Sequence, residues 1–310
     1  MKKIVVCGMN PAWQKTLKFD RLVPYEVNRA KTLQIVPSGK GINFARAAGI
    51  WGEASVSVVQ PLGGITGKLI MGALAGEGIP SAAVSVAAQT RTCSTLMCSA
   101  TGTATEIIEP SGAIQPEEYE RILTVAKLEI SSSDAFAFCG TFPPGIPDDC
   151  FLALTVFAAK AGKPVFLDAC KGIGDALKSG AAILKINRAE LEGLTGCGSV
   201  EAGIRKCLEE SSLEAAAITA GKDHAFIGTR KKIVRITIPQ IRNAVNPIGA
   251  GDTCSGVFFS EYLNGTDLVE AFARGLCAAT ASCMTETPAV FSKKKAELLR
   301  SQLTFDELEG

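Results

Sequence analysis

The chain has 310 residues, 47% of them hydrophobic, with a mean hydropathy of +0.23, enough to bury a large core around one α/β body. Lys and Arg number 32 against 31 Asp and Glu, and the resulting net charge of +1 removes any electrostatic case for nucleic acid as a partner. Eleven cysteines without a CxxC pair, beside the single His224, exclude a Cys/His zinc site and point to a reducing, cytoplasmic setting.

In chain order, Met1-Lys2-Lys3 passes at once into an apolar run at 4–7, too short for the core of a signal peptide and readable as a first buried strand. Residues at about 12–36 alternate polar and apolar, as in Thr32-Leu33-Gln34-Ile35-Val36, and residues at about 84–109 do the same around Thr92-Cys93-Ser94-Thr95-Leu96-Met97. Both stretches are expected to form a small sheet beside the main one, a lid over a site. A helix is expected over 116–127, opening on Pro-Glu-Glu and turning Ile122, Leu123 and Ala126 inward. Strand 135–139 follows, then a helix over 148–161 that stops at Gly162-Lys163-Pro164. Further buried strands are expected at 165–167, 183–186 and 215–219. Such alternation implies a mainly parallel sheet covered on both faces, a three-layer α/β/α sandwich. No linker, repeat or low-complexity tract divides the chain, which reads as a single domain over 1–310. No segment reaches the ~18 apolar residues of a spanning helix, so no membrane is expected. Lys293-Lys294-Lys295 reads as a solvated helix face.

Three segments carry chemistry. In Asn246-Pro247-Ile248-Gly249-Ala250-Gly251-Asp252-Thr253 the glycines let the backbone approach a ligand, and a following helix would aim unpaired N–H groups and a positive dipole end at the loop. Asp252 there is either a helix N-cap or a base accepting a hydroxyl proton, and this segment alone does not separate the two. Ser38-Gly39-Lys40-Gly41-Ile42-Asn43 brings an ammonium and an amide to one point; it is no Walker A loop, and taken alone it reads more simply as a plain glycine turn into a helix with Lys40 solvated. Asn187 and Glu190, at the end of a buried strand, are candidates for nucleotide phosphates and Mg²⁺, and they also fit a capping box; both readings stand together.

Taken in order, these segments resemble the ribokinase-like (PfkB) carbohydrate kinases along nearly the whole chain. Asn10-Pro11-Ala12-Trp13, Ser38–Asn43, Leu62-Gly63-Gly64-Ile65-Thr66-Gly67, Cys139-Gly140-Thr141-Phe142-Pro143-Pro144-Gly145, Lys185-Ile186-Asn187 with Glu190, Thr219-Ala220-Gly221 and Gly249-Ala250-Gly251-Asp252 each match a family motif in register. The resemblance implies an ATP- and Mg²⁺-dependent transfer to a sugar hydroxyl, with Asp252 as base and the amides of Gly249, Ala250 and Gly251 as anion hole. It implies further that Asn187, Thr219 and Gly221 line the nucleotide, that Glu190 meets Mg²⁺ through water, and that Gln14, Gly39, Lys40, Asn43 and Arg91 hold the sugar. Arg91, with Arg46, resembles the branch of 1-phosphofructokinases and tagatose-6-phosphate kinases, whose substrate already carries a phosphate for Lys40 and the arginines to hold. The same resemblance suggests a homodimer through the lid.

Some positions depart from the pattern. Gln14 stands where the family has Asp, Ser38 where it has glycine and Ile186 where it has proline, and residues 276–288, expected near the adenine, lack a glycine near Thr287. A kinase of a free sugar or nucleoside is the alternative within the class. A non-catalytic sugar or nucleotide sensor on the same scaffold is the alternative outside it. His224, after Gly221-Lys222-Asp223, reads as a turn residue rather than a catalyst.

Overall fold

A computed structural model describes residues 1–241 and 244–308. The first third of the chain forms β1 (Lys2–Cys7), β2 (Ala12–Phe19), β3 (Thr32–Ser38), α1 (Lys40–Trp51), β4 (Ala54–Leu62), α2 (Gly64–Gly76), β5 (Ser81–Ser85), β6 (Thr92–Cys98) and β7 (Thr103–Ile108). There follow α3 (Pro116–Ser131), β8 (Ala135–Cys139), α4 (Cys150–Lys160), β9 (Val165–Asp168), α5 (Gly174–Lys178), β10 (Ile183–Asn187), α6 (Arg188–Thr195) and α7 (Val200–Glu209). The last third supplies β11 (Ala215–Ala220), β12 (His224–Gly228), β13 (Ile233–Thr237), α8 (Ala250–Leu263), α9 (Leu268–Ser282), α10 (Lys293–Leu299) and β14 (Thr304–Leu308).

The ten-stranded main sheet runs β14-β13-β12-β11-β10-β9-β8-β1-β4-β5. Strands β11 to β5 in that order are parallel, and β12, β13 and β14 extend one edge as antiparallel neighbours. Because the parallel strands are covered on both faces, their residues alternate between two apolar layers rather than between core and water. Ile4, Val6, Ala135, Ala137 and Phe166 face the layer filled by α1, α8 and α9. Val5, Cys7, Phe136, Phe138 and Leu167 face the layer of α3, α4, α5, α6 and α7. Phe166, fully buried, meets Phe44 of α1 at 6.0 Å and Phe259 of α8 at 5.1 Å between ring centroids, and burying a side chain of that size contributes about 1.5–3 kcal/mol. This aromatic cluster fixes the helices that carry the functional loops against the strand that carries Asp168.

The five apolar runs expected to be buried strands are all in the main sheet. The helix expected over 116–127 continues to Ser131, and its start is a capping box between Gln115 and Glu118. The helix expected over 148–161 is α4, closed by Gly162 at φ +69°. The small sheet has the order β3-β2-β6-β7, with β2 and β6 parallel and both outer pairs antiparallel. Its second segment begins later than 84: residues 84–85 close β5, where Val84 is buried and pairs with Pro61 on the main sheet. Lys293 is not merely solvated, since its Nζ donates to the Trp51 carbonyl at 2.6 Å and lies 4.8 Å from the Trp51 ring, closing the end of α1.

Candidate active site

A cleft of about 450 Å³ opens between the carboxyl ends of the parallel strands and the small sheet, where ligands bind in open α/β folds. The small sheet contributes Gln14, Cys93, Thr95 and Glu106; the loops of the main body contribute Gly39, Lys40, Gly140, Ile248, Gly249 and Asp252. Asn43 and Arg91 complete the wall, so every residue expected to hold the sugar lines this one cleft together with Asp252.

Glycine geometry brings the pieces together. Gly249 is the N-cap of α8 at φ +76°, a left-handed conformation that an L side chain adopts only under strain, and a Cβ there would meet the Ala289 nitrogen at 3.2 Å. Asp252 is therefore not the N-cap: it stands inside the first turn, half-buried, with its carboxylate free of the backbone. Its Oδ2 accepts from Asn43 Nδ2 at 2.8 Å. The Ala250 N–H is spent within the turn on the Pro247 carbonyl at 3.3 Å, while the N–H groups of Gly249 and Gly251 have no protein acceptor among the described residues. Of the three amides expected to form an anion hole, those of Gly249 and Gly251 are therefore open, while that of Ala250 is engaged by the turn.

Asn43 is 3% exposed and committed. Its Oδ1 accepts from Arg46 Nη1 at 3.0 Å and from Ser38 Oγ at 3.4 Å while its amide holds Asp252. Gln14, 7% exposed, donates to Thr95 Oγ1 at 2.9 Å and so is tied to the neighbouring strand of the small sheet. Arg91 donates Nη2 to the Asn10 carbonyl at 3.2 Å, and its buried Nε has no partner. Arg46, expected beside a substrate phosphate or in a surface ion pair, is buried away from the cleft in a bidentate pair with Glu77.

Sequence reasoning missed Asp168. At the end of β9 and 1% exposed, it receives Lys40 Nζ at 2.7 Å, Lys185 Nζ at 3.3 Å and the Ser255 hydroxyl at 2.6 Å. Burial alone would raise its pKa, yet Lys185 and Lys40 overcome that and hold it down to about 2. Burial works against the charge of Lys40, but Asp168, Asp252 and Glu190 outweigh it and hold the ammonium above its ordinary range. Asp252 goes the other way: burial and then the charge of Asp168 raise its pKa, with Lys40, Asn43 and Lys185 only partly offsetting them. An acid directly after a buried apolar strand is the signal that could have found Asp168.

The remaining expected residues lie outside this cleft, on its neighbouring side. Asn187 and Thr219 are register partners at the carboxyl ends of β10 and β11, and Gly221 follows at φ +79°. Asn187 and Glu190 form a reciprocal capping box at 2.9 Å in both directions, so that reading of the pair is realised in the structure. Glu190 Oε1 also approaches Lys40 Nζ at 3.6 Å, so the two sides of the site meet at Lys40. His224 opens β12, with its Nδ1 3.5 Å from the Thr237 hydroxyl, and takes no part in the cleft. Among the described residues no group of three or more His, Cys, Asp or Glu is gathered to hold a metal ion, and no helix is long and apolar enough to cross a membrane.

A mainly parallel sheet between helical layers, a small sheet over its carboxyl edge, and a carboxylate set at a helix N-terminus beside open amides define a phosphotransferase of the ribokinase-like fold. The chain belongs to the pfkB family of carbohydrate kinases, whose pattern it matches over residues 1–294, and it is accordingly an ATP-dependent sugar kinase. It is 27% identical over 301 residues to the ATP-dependent 6-phosphofructokinase isozyme 2 of Mycobacterium tuberculosis, covering 95% of this chain and 88% of that one. The phosphofructokinase-2 of Escherichia coli, solved with fructose-6-phosphate, superposes with a TM-score of 0.87 at 20% identity, over 97% of this chain and 99% of that one. A Thermotoga maritima structure described as "possible 1-phosphofructokinase" gives 0.88 at 18% identity over 99% of this chain and all of the other.

Proposed function

We propose that the enzyme transfers the γ-phosphoryl group of ATP to a hydroxyl of a sugar phosphate, as 1-phosphofructokinases and tagatose-6-phosphate kinases do, with Asp252 as the base. The observation that carries this reading is the Asp252 carboxylate at the cleft wall, fixed by Asn43 and set beside the open N–H groups of Gly249 and Gly251. A hydroxyl held against Asp252 loses its proton as it attacks, and the two amides face the oxygens on which charge collects. Lys40, held at the seam by Asp168 and Glu190, adds positive charge where the phosphoryl group crosses. Asn187, Thr219 and Gly221 are assigned to the nucleotide. The donor set fits a Mg²⁺ ion carried mainly by triphosphate oxygens and water, with Glu190 reaching it through water, and not an ion caged by protein.

Arg91 supports a substrate that already bears a phosphate. Its buried, partnerless Nε at the cleft is a donor of the geometry that phosphate oxygens satisfy, and the curated relative's 6-phosphofructokinase activity belongs to the same substrate class. Gln14 and the remaining amide hydrogen of Asn43 are assigned to the sugar hydroxyls. The exposed apolar residues of the small sheet, Leu33, Ile35 and Ile107, support its use as a homodimer interface, and eleven unpaired thiols suit a reducing cytoplasm. The test is ATP consumption with fructose 1-phosphate, fructose 6-phosphate, tagatose 6-phosphate and free hexoses. Turnover is expected with a phosphorylated sugar, and Arg91→Ala should raise KM for it about tenfold or more. Turnover of uncharged sugars only would overturn the substrate class.

A further inference from the structure

Arg46 is 5% exposed, lies outside the cleft, and spends its guanidinium on four separate elements of the molecule. Nε and Nη2 grip Glu77, just past α2, at 2.7 and 3.1 Å; Nη2 also donates to the Pro37 carbonyl of β3 at 2.8 Å. Nη1 donates to Asn43 Oδ1 at 3.0 Å and to the Pro288 carbonyl at 3.3 Å. Three of those contacts lead to the reacting centre. Asn43 holds Asp252, Pro288 packs within 3.3 Å of where a Gly249 side chain would begin, and β3 is the small-sheet strand paired with Gln14.

We infer that Arg46 and Glu77 form a positioning clamp that fixes Asn43, and through it the Asp252 carboxylate, at the angle needed to take the hydroxyl proton. The inference rests on Asp252 being the base. Asn43 is the one link in this chain that could turn over: a carboxamide can present either its oxygen or its nitrogen to a neighbour. A guanidinium has only donors, so it forces Asn43 to face it with Oδ1 and leaves Nδ2 for Asp252. Glu77 in turn prevents Arg46 from swinging away. Without the pair, Asn43 is free to present its oxygen to the carboxylate, which would repel rather than hold it. The charged groups facing Asp252 from the other elements, Asp168 of β9, Lys40 of α1 and Lys185 of β10, have no hydrogen bond to Arg46, so the side-chain route from the clamp to the base runs through Asn43.

The experiment compares Arg46→Ala, Glu77→Gln, Asn43→Ala and the Arg46→Ala/Asn43→Ala double variant with Asp252→Asn, in steady-state kinetics across pH and in thermal unfolding. Arg46→Ala is expected to lower kcat about 100-fold, with KM for the sugar phosphate changed less than about threefold, since placement and not binding is lost. The acid limb of its kcat/KM profile should move to higher pH, because the Asn43 hydrogen bond favours the ionised base. Glu77→Gln should move both readouts the same way by less, and the double variant should be no slower than Asn43→Ala alone. If Arg46→Ala does not fold, Glu77→Gln, which keeps the shape of the site, decides. Unchanged kcat and acid limb in a folded Glu77→Gln protein, or losses that multiply in the double variant, overturn the clamp while Asp252→Asn remains inactive. Turnover by Asp252→Asn at the unaltered rate overturns the base itself, and the clamp with it.

Discussion

Asp168 and Asp252 are two carboxylates under one sheet edge whose surroundings push their acidities apart, the arrangement by which a site assigns different tasks to like groups. Asp168, between two lysines, is held as an anion at neutral pH; Asp252, half-buried and without an ion-pair partner of its own, is pushed toward the protonated form, which suits the base proposed for it. Replacing Asp252 with Asn should lower kcat by about 10³-fold or more and leave nucleotide affinity within a few-fold, measured by single-turnover transfer and ATP titration. The same change should raise thermal stability, because a carboxylate whose pKa is raised on folding costs stability at neutral pH. Asp168 has the opposite sign. Its folded pKa, about 2, lies below the unfolded value, so its contribution is present above ~pH 4 and is lost as pH falls toward 2. Asp168→Asn leaves Lys40 and Lys185 without their shared counter-ion and should cost about 3–5 kcal/mol in urea unfolding at neutral pH, a cost that shrinks on acidification. Neither the partnership nor the pKa split was legible in the sequence. Lys185 meets Asp168 through the register of β10 with β9, and Lys40 meets it only because the start of α1 packs over the end of the sheet, 128 residues away in sequence.

The loops at the sheet edge were legible because each needs a residue type that ordinary turns do not. Gly249 at φ +76° caps α8, and among the described residues its amide and that of Gly251 stay open on either side of the Ala250 N–H that the turn consumes. Gly249→Ala should cost about 1–2 kcal/mol for the left-handed backbone and lower kcat with little change in sugar KM, as chemical unfolding and steady-state kinetics would show. Close approach acts in the same way one element earlier. A Cβ on Gly41 would sit 2.7 Å from the Gly8 Cα, so α1 can lie against the end of β1 only without a side chain there, and this sets where Lys40 points. What α1 does on its other faces was not legible. Its run from Gly41 to Ala48 is buried throughout, so it has no polar stripe from which facing could be read, and the natural expectation for Arg46 was a surface or a substrate. The antiparallel edge β12–β14 was equally silent, since the five residues of β14 are exposed or nearly so and carry no periodic signal.

At the scale of the whole molecule, the sandwich follows from buried apolar strands alternating with helices, and that much was plain in the residue pattern. The proposed use of the small sheet as an interface was not, because exposed Leu33 and Ile107 are as ordinary on a monomer as on an interface. Leu33→Glu with Ile107→Glu is expected to convert a dimer into a monomer by light scattering while the circular dichroism of the body is retained; an unchanged mass removes the small sheet from the interface. The parallel pairing of β2 with β6 carries a different consequence. Parallel neighbours cannot be joined by a hairpin, and here α1, β4, α2 and β5 all intervene between the strands. No fragment short of that crossover can assemble the cover of the cleft, so its closure must wait until the body has placed both segments. Trp13 lies in β2 and Trp51 in α1, which puts one intrinsic fluorophore on each side of this order of events. During refolding the signal of Trp51 should settle first and that of Trp13 later, and a nascent chain becomes a competent kinase only once its earliest residues have been met by others synthesised long afterwards.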